Sequence, residues 1–393
     1  MEREYEYLLP LLGDYLSGAA PEPDPEVRWE KLVQLSQIHC VTGILGHMTM
    51  QHPICPQPEI QAGLRQVCLQ TIALYAQRAA AMDTLSDRLT EAQIPHIVMK
   101  GYVLRRCYPI PELRTFGDID FVIRPEDRQR CHGLLMDAGY HLETDWEPVF
   151  SYTRGSEYYE IHTDIMEVDV SEKADYRGYF QQLWQRTIPD QGLRYQFTPE
   201  FHFLYLLTHI AKHIQGAGAG ARMYLDIAVF LKYYGNSLDW DYVNQELHTL
   251  KLYDFAGVVF TAVEQWFHIP SPIEHPSISD EVLEEFKIFT MEAGVFGHFQ
   301  RESGVNALKR AGDDAAASRT KLLLTRAFPP AEQIKSRYTY LQKRPWLLPA
   351  AWIHRLIKNR GSLASQAHDA QVILTADTRE VQRLQDLTRN IGL

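Results

Sequence analysis

Residues 96–127 read HIVMKGYVLRRCYPIPELRTFGDIDFVIRPED, and this stretch decides the fold. At its centre, Phe116-Gly117-Asp118-Ile119-Asp120-Phe121-Val122-Ile123 is predicted to be a strand. Phe121, Val122 and Ile123 are β-formers, and Pro125 stops the run. Side chains alternate across a strand, so Asp118 and Asp120 share one face while Ile119 and Phe121 share the other. Two carboxylates about 7 Å apart on one face repel each other and lose hydration. A cation between them removes that cost, and hard oxygen ligands suit Mg²⁺. The plain alternative is a half-exposed strand with two solvated aspartates, so the surroundings must decide.

Upstream, Ile97-Val98-Met99 is an apolar run that starts after Pro95 and ends at Lys100-Gly101. Tyr102 to Tyr108 has the spacing of a short helix, with Val103, Leu104 and Cys107 on one side. Lys100 is therefore expected at a strand-to-helix turn, where Gly101 lets the backbone approach a ligand closely. A helix N-terminus with a lysine suits a phosphate. Arg114 follows a proline-containing loop, and Gly117 keeps the approach to the aspartates open. Phosphate-seeking cations beside metal-seeking carboxylates form the constellation that nucleotide chemistry needs.

The run Lys100-Gly101, Leu104, Tyr108-Pro109, Arg114, Asp118-Ile119-Asp120-Phe121-Val122-Ile123 and Pro125-Glu126-Asp127 resembles the uncharacterised nucleotidyltransferase family of the polymerase-β-like superfamily. The likeness extends from about Lys31 to Lys358 and is sharpest from Lys100 to Asp127. It implies that Asp118, Asp120 and a third acid on a neighbouring strand hold Mg²⁺ for transfer of a nucleotidyl group from a nucleoside triphosphate (NTP, such as ATP). The third acid would be Glu160, because Tyr158-Tyr159-Glu160-Ile161-His162 is similar to the family's acid-x-His strand. Asp169, in Val168-Asp169-Val170, competes for the role; His162 tips the preference to Glu160. His209, His213, Arg222 and Asp226 resemble a second patch in the family's helical half. The superfamily usually opens its site with Gly-Ser. Lys-Gly stands here instead, which shifts the phosphate-binding burden onto Lys100 and Arg114.

Around this centre the chain reads as an α+β protein, a small mixed β-sheet core flanked by N-terminal and C-terminal helical regions. Its 393 residues divide into a helical cap (1–93), the α/β core (94–192), a helical domain lining the cleft (193–330) and a C-terminal helical arm (331–393). The cap shows helical spacing at Tyr5, Leu8, Leu9, Leu12, Tyr15 and Leu16, and a long stripe between Glu59 and Gln93. Its His39 and His47 are read as structural. In the core, strands are expected at 140–143, 149–153 and 158–164 and a short helix at 180–184, and residues 188–192 close the core. Polar residues 297–318 are expected to form a long loop, and helical spacing recurs at Val372, Leu374, Val381 and Leu384. Trp352 to Lys358 is expected to be a basic amphipathic helix, a weak membrane-surface signal.

Thr198-Pro199-Glu200 is a helix start, with Thr198 as cap and Pro199 at the first position. On that helix His209 and His213 are four apart, hence on one face. Ile210 follows His209 where a zinc hydrolase needs Glu, so H-x-x-x-H here does not read as that motif. The glycine-rich 216–221 joins two helices and lacks the G-K-[ST] ending, so it is no P-loop. Arg222 and Asp226 follow, also four apart. The four polar residues either lock two helices together or line the cleft facing the aspartates, and the two readings are compatible.

A net charge of −11 argues against binding large nucleic acids through a basic surface. The acidic N-terminus lacks the basic region of a secretory signal, and no apolar run approaches a spanning helix. Five scattered cysteines without a CxxC pair point to reduced thiols in a cytoplasmic protein. The expected activity is Mg²⁺-dependent nucleotidyl transfer to a hydroxyl of an unidentified acceptor: a small molecule, peptide or protein. A non-catalytic nucleotide-binding module and a metal-dependent phosphohydrolase are the competing readings.

Overall fold

A computed structural model describes residues 2–115, 117–166, 170–216, 218–295, 315–334, 338, 340–358, 370–371 and 373–393. Four helices come first: α1 (Arg3–Ser17), α2 (Trp29–Ile38), α3 (Thr42–Gln51) and the long α4 (Pro58–Glu91). Pro58 sits at the start of α4, where its missing N–H is not needed. Then β1 (His96–Val98), the single turn α5 (Gly101–Leu104), β2 (Ile119–Ile123) and α6 (Arg128–Asp137) follow. Next come β3 (His141–Trp146), β4 (Val149–Arg154), β5 (Glu157–His162), α7 (Tyr176–Phe180), β6 (Thr187–Gln191) and β7 (Arg194–Phe197). The helical half contains α8 (Pro199–Gln215), α9 (Ala221–Tyr234), α10 (Trp240–Thr249), α11 (Tyr253–Phe267) and α12 (Asp280–Ala293). The architecture is α+β, as the sequence implies.

The seven strands form one mixed sheet in the order β3-β4-β5-β2-β1-β7-β6. β2 lies at its centre, parallel to β5 and antiparallel to β1. Every residue of β2 is buried, so both faces of this strand are covered. Ile119, Phe121 and Ile123 pack with Met82, Leu85 and Leu89 of α4 and Cys131 and Leu135 of α6. Val122 points the other way, into the core shared with the helical half. The period of two thus assigns one face of β2 to each core, and Asp120 falls on the helical side with Val122. Burying a side chain such as Phe121 contributes about 1.5–3 kcal/mol, which fixes the register against a one-residue slip.

Several expectations need correction. The strand starts at Ile119, so Asp118 lies in the turn before it and the two aspartates do not share one ladder. Phe116, read as the start of that strand, lies outside the described residues. The short helix is Tyr176–Phe180, not 180–184. Residues 188–192, read as closing the core, belong to the hairpin β6–β7, and β7 extends the sheet by pairing in parallel with β1. Of the loop read at 297–318, residues 315–318 belong to helix Ala315–Ala327, and 297–314 lie outside the described residues, as does Val372. Leu348–Lys358 is helical. No helix among the described residues is long and apolar enough to cross a membrane. All five cysteines are free thiols, four of them buried.

Candidate active site

The centre of the site is the pairing of β2 with β5. Their register sets Asp120 directly beside Glu160 and Val122 beside His162. In parallel strands, paired residues point to the same face, so Asp120 and Glu160 project together toward the helical half. His162 reaches back along that face: its Nε2 lies 3.0 Å from Asp120 Oδ1 and 3.5 Å from Glu160 Oε2. One ligand atom each from Asp120, Glu160 and His162 lies within 4.8 Å of the others, so this triad has the donor set to hold a divalent cation. Asp118 stands outside the triad, in the turn that leads into β2.

Lys100 follows β1, and its ammonium donates to Asp120 Oδ1 at 2.7 Å. Its backbone has φ 52 and ψ −125, a conformation that glycine adopts readily and other residues adopt under strain. Burial opposes the Lys100 charge, but attraction to Asp120 outweighs it and raises the pKa. Burial also opposes the charge on Asp120, yet Lys100 and His162 hold its pKa below the ordinary carboxylate value. Asp118 goes the other way: the Asp120 charge, then burial, raise its pKa. His162 is buried, which lowers its pKa, but its hydrogen bonds to Asp120 and Glu160 prevail and raise it. A positive Lys100, a proton-binding His162 and the acids thus form one coupled cluster of charges.

The opposite wall belongs to α8 and α9. Thr198 caps α8 by accepting from Phe201 N at 3.4 Å, as the sequence implies. His209 and His213 face each other on this helix with their Nε2 atoms 3.1 Å apart, so one donates and the other accepts. Burial holds both neutral, with the His213 pKa lowered to about 4. Among the described residues no third ligating side chain joins them. Asp226 of α9 accepts from Arg114 Nε at 3.2 Å and Nη2 at 2.8 Å, and from the Tyr108 hydroxyl at 2.7 Å. Arg114 is 6 % exposed and spends two of its three guanidinium nitrogens on this pair. Expected as a phosphate ligand, it is first of all the counter-ion of Asp226. A buried carboxylate that far from water requires a fixed cation.

The two walls enclose a cleft of about 250 Å³. Lys100, Gly101, Asp118 and Asp120 line one side, and His209, His213, Arg222 and Asp226 the other, with Arg114 between. All four residues of the helical patch line the cleft, but the contacts of the described residues do not make them a lock between the two helices: His209 and His213 bond each other on α8, Asp226 bonds Arg114 and Tyr108, and Arg222 bonds Thr115. Gly117 is exposed, and a Cβ there would meet nothing within 4 Å. Glu160 and His162 reach the cleft through Asp120 rather than lining it. Asp169, the alternative third acid, lies outside the described residues.

A model of the family described as uncharacterised nucleotidyltransferase matches residues 25–268. The chain belongs to this family. Membership supports a nucleotidyltransferase-type function and an NTP as substrate. The matched stretch ends before the limit of about Lys358 read from the sequence and contains the whole sheet and both walls of the cleft. No curated protein and no solved structure matches the chain.

Several residues of this nucleotidyltransferase site carried no sequence signal. Arg78, on α4, is partly buried and feels the Asp118 charge. The Thr115 carbonyl accepts from both Arg114 and Arg222, and its hydroxyl donates to Cys40 O at 2.8 Å. His39 is buried with both ring nitrogens engaged, one at 3.1 Å from Ala221 N and one at 3.2 Å from Met291 O. It is structural, as its sequence context implies, and it holds the first residue of α9 in place. No spacing rule could have linked residues so far apart in the chain.

Proposed function

We propose that the protein transfers a nucleotidyl group from an NTP to a hydroxyl of an acceptor, with Mg²⁺ held by Asp118, Asp120 and Glu160. One observation carries this reading: the β2–β5 register brings Glu160 beside Asp120 on the face that meets the cleft. When bound, the cation would polarise the phosphate oxygens and lower the pKa of the acceptor hydroxyl. His162 and Lys100 both bond Oδ1 of Asp120, so they orient the carboxylate and leave Oδ2 without a partner among the described residues. The Asp120 charge and burial raise the Asp118 pKa, and a bound cation would relieve that repulsion. The acceptor oxygen attacks the α-phosphorus while the bond to the bridging oxygen breaks and pyrophosphate leaves. Glu160 would take the hydroxyl proton. Cationic side chains of the cleft neutralise the departing pyrophosphate.

The test is incubation of the protein with each NTP and Mg²⁺, followed by mass spectrometry of candidate acceptors. Pyrophosphate release with an acceptor mass increase of one nucleotidyl group is expected. Orthophosphate release means a phosphohydrolase, and binding without turnover means a non-catalytic module. Turnover that persists in the Asp118→Ala/Asp120→Ala double variant would overturn the mechanism.

A further inference from the structure

The helical wall of the cleft contains a guanidinium that no described side chain neutralises. Arg114 and Arg222 come close enough to donate to the same oxygen, the Thr115 carbonyl, at 3.1 and 2.8 Å. Two cations held together in a partly desolvated wall repel each other. Asp226 answers only one of them, because Arg114 and Tyr108 account for its hydrogen bonds. Arg222 makes no ion pair among the described residues, and its Nε is buried with no hydrogen-bond partner among them. Its contacts to Thr115 use Nη1 alone. The Nε–Nη2 edge, the one that grips two oxygens at once, is therefore uncommitted among the described residues. A buried donor left this way destabilises the fold unless a ligand meets it.

The charges that act on the two guanidinium groups differ. Asp118 is among the charges that act on Arg114. The leading influences on Arg222 are instead burial, Arg114, Asp226, Cys40 and Tyr108. Arg222 lines the same cleft from α9, beside Asp226. Leu206, Ile210, Met223 and Val295 give this cleft an apolar flank. It thus combines carboxylates, an apolar flank and an unanswered guanidinium.

We propose that Arg222 provides a binding site for an oxyanion, either the terminal phosphates of the nucleotide or an acidic group on the acceptor. The proposal rests on the nucleotidyl reading only for where the anion comes from, not for the existence of the site. Arg222 would grip two anion oxygens, with Arg114 adding long-range attraction while it stays paired to Asp226. An acidic acceptor would lay its apolar body along Leu206, Ile210 and Met223, its hydroxyl toward Asp120.

Isothermal titration calorimetry on the full chain, with EDTA present, tests this with two probes: inorganic pyrophosphate and 3-phenylpropionate. At least one probe is expected to bind, and Arg222→Gln to weaken it about tenfold or more, the scale of one charge-assisted contact. Arg222→Lys keeps the charge without the two-pronged edge and should weaken it several-fold. It carries the test if the Gln variant fails to fold. Asp118→Asn should bind at least as tightly as wild type, since a repelling carboxylate is gone. Arg222-dependent pyrophosphate binding assigns the site to the nucleotide, and Arg222-dependent phenylpropionate binding assigns it to an acidic acceptor. The proposal is overturned if wild type binds neither probe, or if both Arg222 variants bind like wild type. Arg222-dependent binding in a protein that turns over no nucleotide would keep this site and sink the nucleotidyl reading. Turnover with Arg222-independent binding would do the reverse.

Discussion

Lys100 Nζ lies 2.7 Å from Oδ1 of Asp120, the same oxygen that His162 Nε2 meets at 3.0 Å. Two partners on one oxygen leave the other oxygen to the cleft. Lys100, expected from the sequence to seek phosphate, is thus first a support for the central carboxylate.

The Lys100 backbone provides a clean test of stored strain. At φ 52 a Cβ is disfavoured, and holding a non-glycine residue in such a region costs about 1–3 kcal/mol. Lys100→Ala and Lys100→Gly both remove the ammonium, but only glycine relieves the backbone. Urea denaturation should find the Gly variant more stable than the Ala variant by about 1–2 kcal/mol. Equal stabilities would show that the turn is unstrained.

Arg114 and Asp226 form a buried pair, so removing one partner leaves an unanswered charge. Arg114→Ala is expected to destabilise the fold by about 3–5 kcal/mol. Gly133→Ala, inside α6 where a Cβ meets nothing within 4 Å, is the contrasting case and should stabilise by about 0.5–1 kcal/mol. Comparison of denaturant midpoints at constant slope checks this.

Asp118 behaves differently, because its charge is opposed by Asp120 rather than paired. Asp118→Asn should leave the melting temperature unchanged or slightly raised while nucleotide turnover falls at least about a hundredfold, the scale of losing a group that acts in the transition state. A stable variant that keeps wild-type turnover would remove Asp118 from the mechanism.

Acid should weaken the fold through its buried histidines. Burial lowers the pKa of His39 from its ordinary 6.5 to about 4, and of His213 likewise. The unfolded chain takes up these protons first, so the stability is fully present above pH 6.5 and is lost as pH falls through 4. For His39 this amounts to about 3 kcal/mol at about 1.36 kcal/mol per pKa unit. His162 has the opposite sign. Its folded pKa is raised, so its contribution is present below 6.5 and lost as pH rises through the folded value. Stability measured across pH 4 to 7 should fall toward acid, and His39→Gln should flatten the slope.

Local pattern was enough to read much of this molecule. The β-formers after Asp120, the turn at Lys100-Gly101, the acid and histidine two apart at Glu160 and His162, and the Thr198 cap are properties of adjacent residues. Chain order and period therefore determine them. The same holds for His209 with His213 and Arg222 with Asp226, whose spacing alone sets each pair on one helix face.

What chain order could not decide was which charge answers which. Asp226 lies 112 residues from Arg114 and the Lys100 ammonium meets a carboxylate 20 residues away, and both matches arise only when the sheet and the helices close on each other. Pairing of β7 with β1, and of β2 with β5, likewise depends on backbone groups that look alike in every sequence. The identity of the residues determined that acids, cations and a strand–turn–helix would be present. Only tertiary packing, by desolvating some charges and pairing others, decided that Arg114 would be spent on Asp226 and Arg222 left facing the cleft.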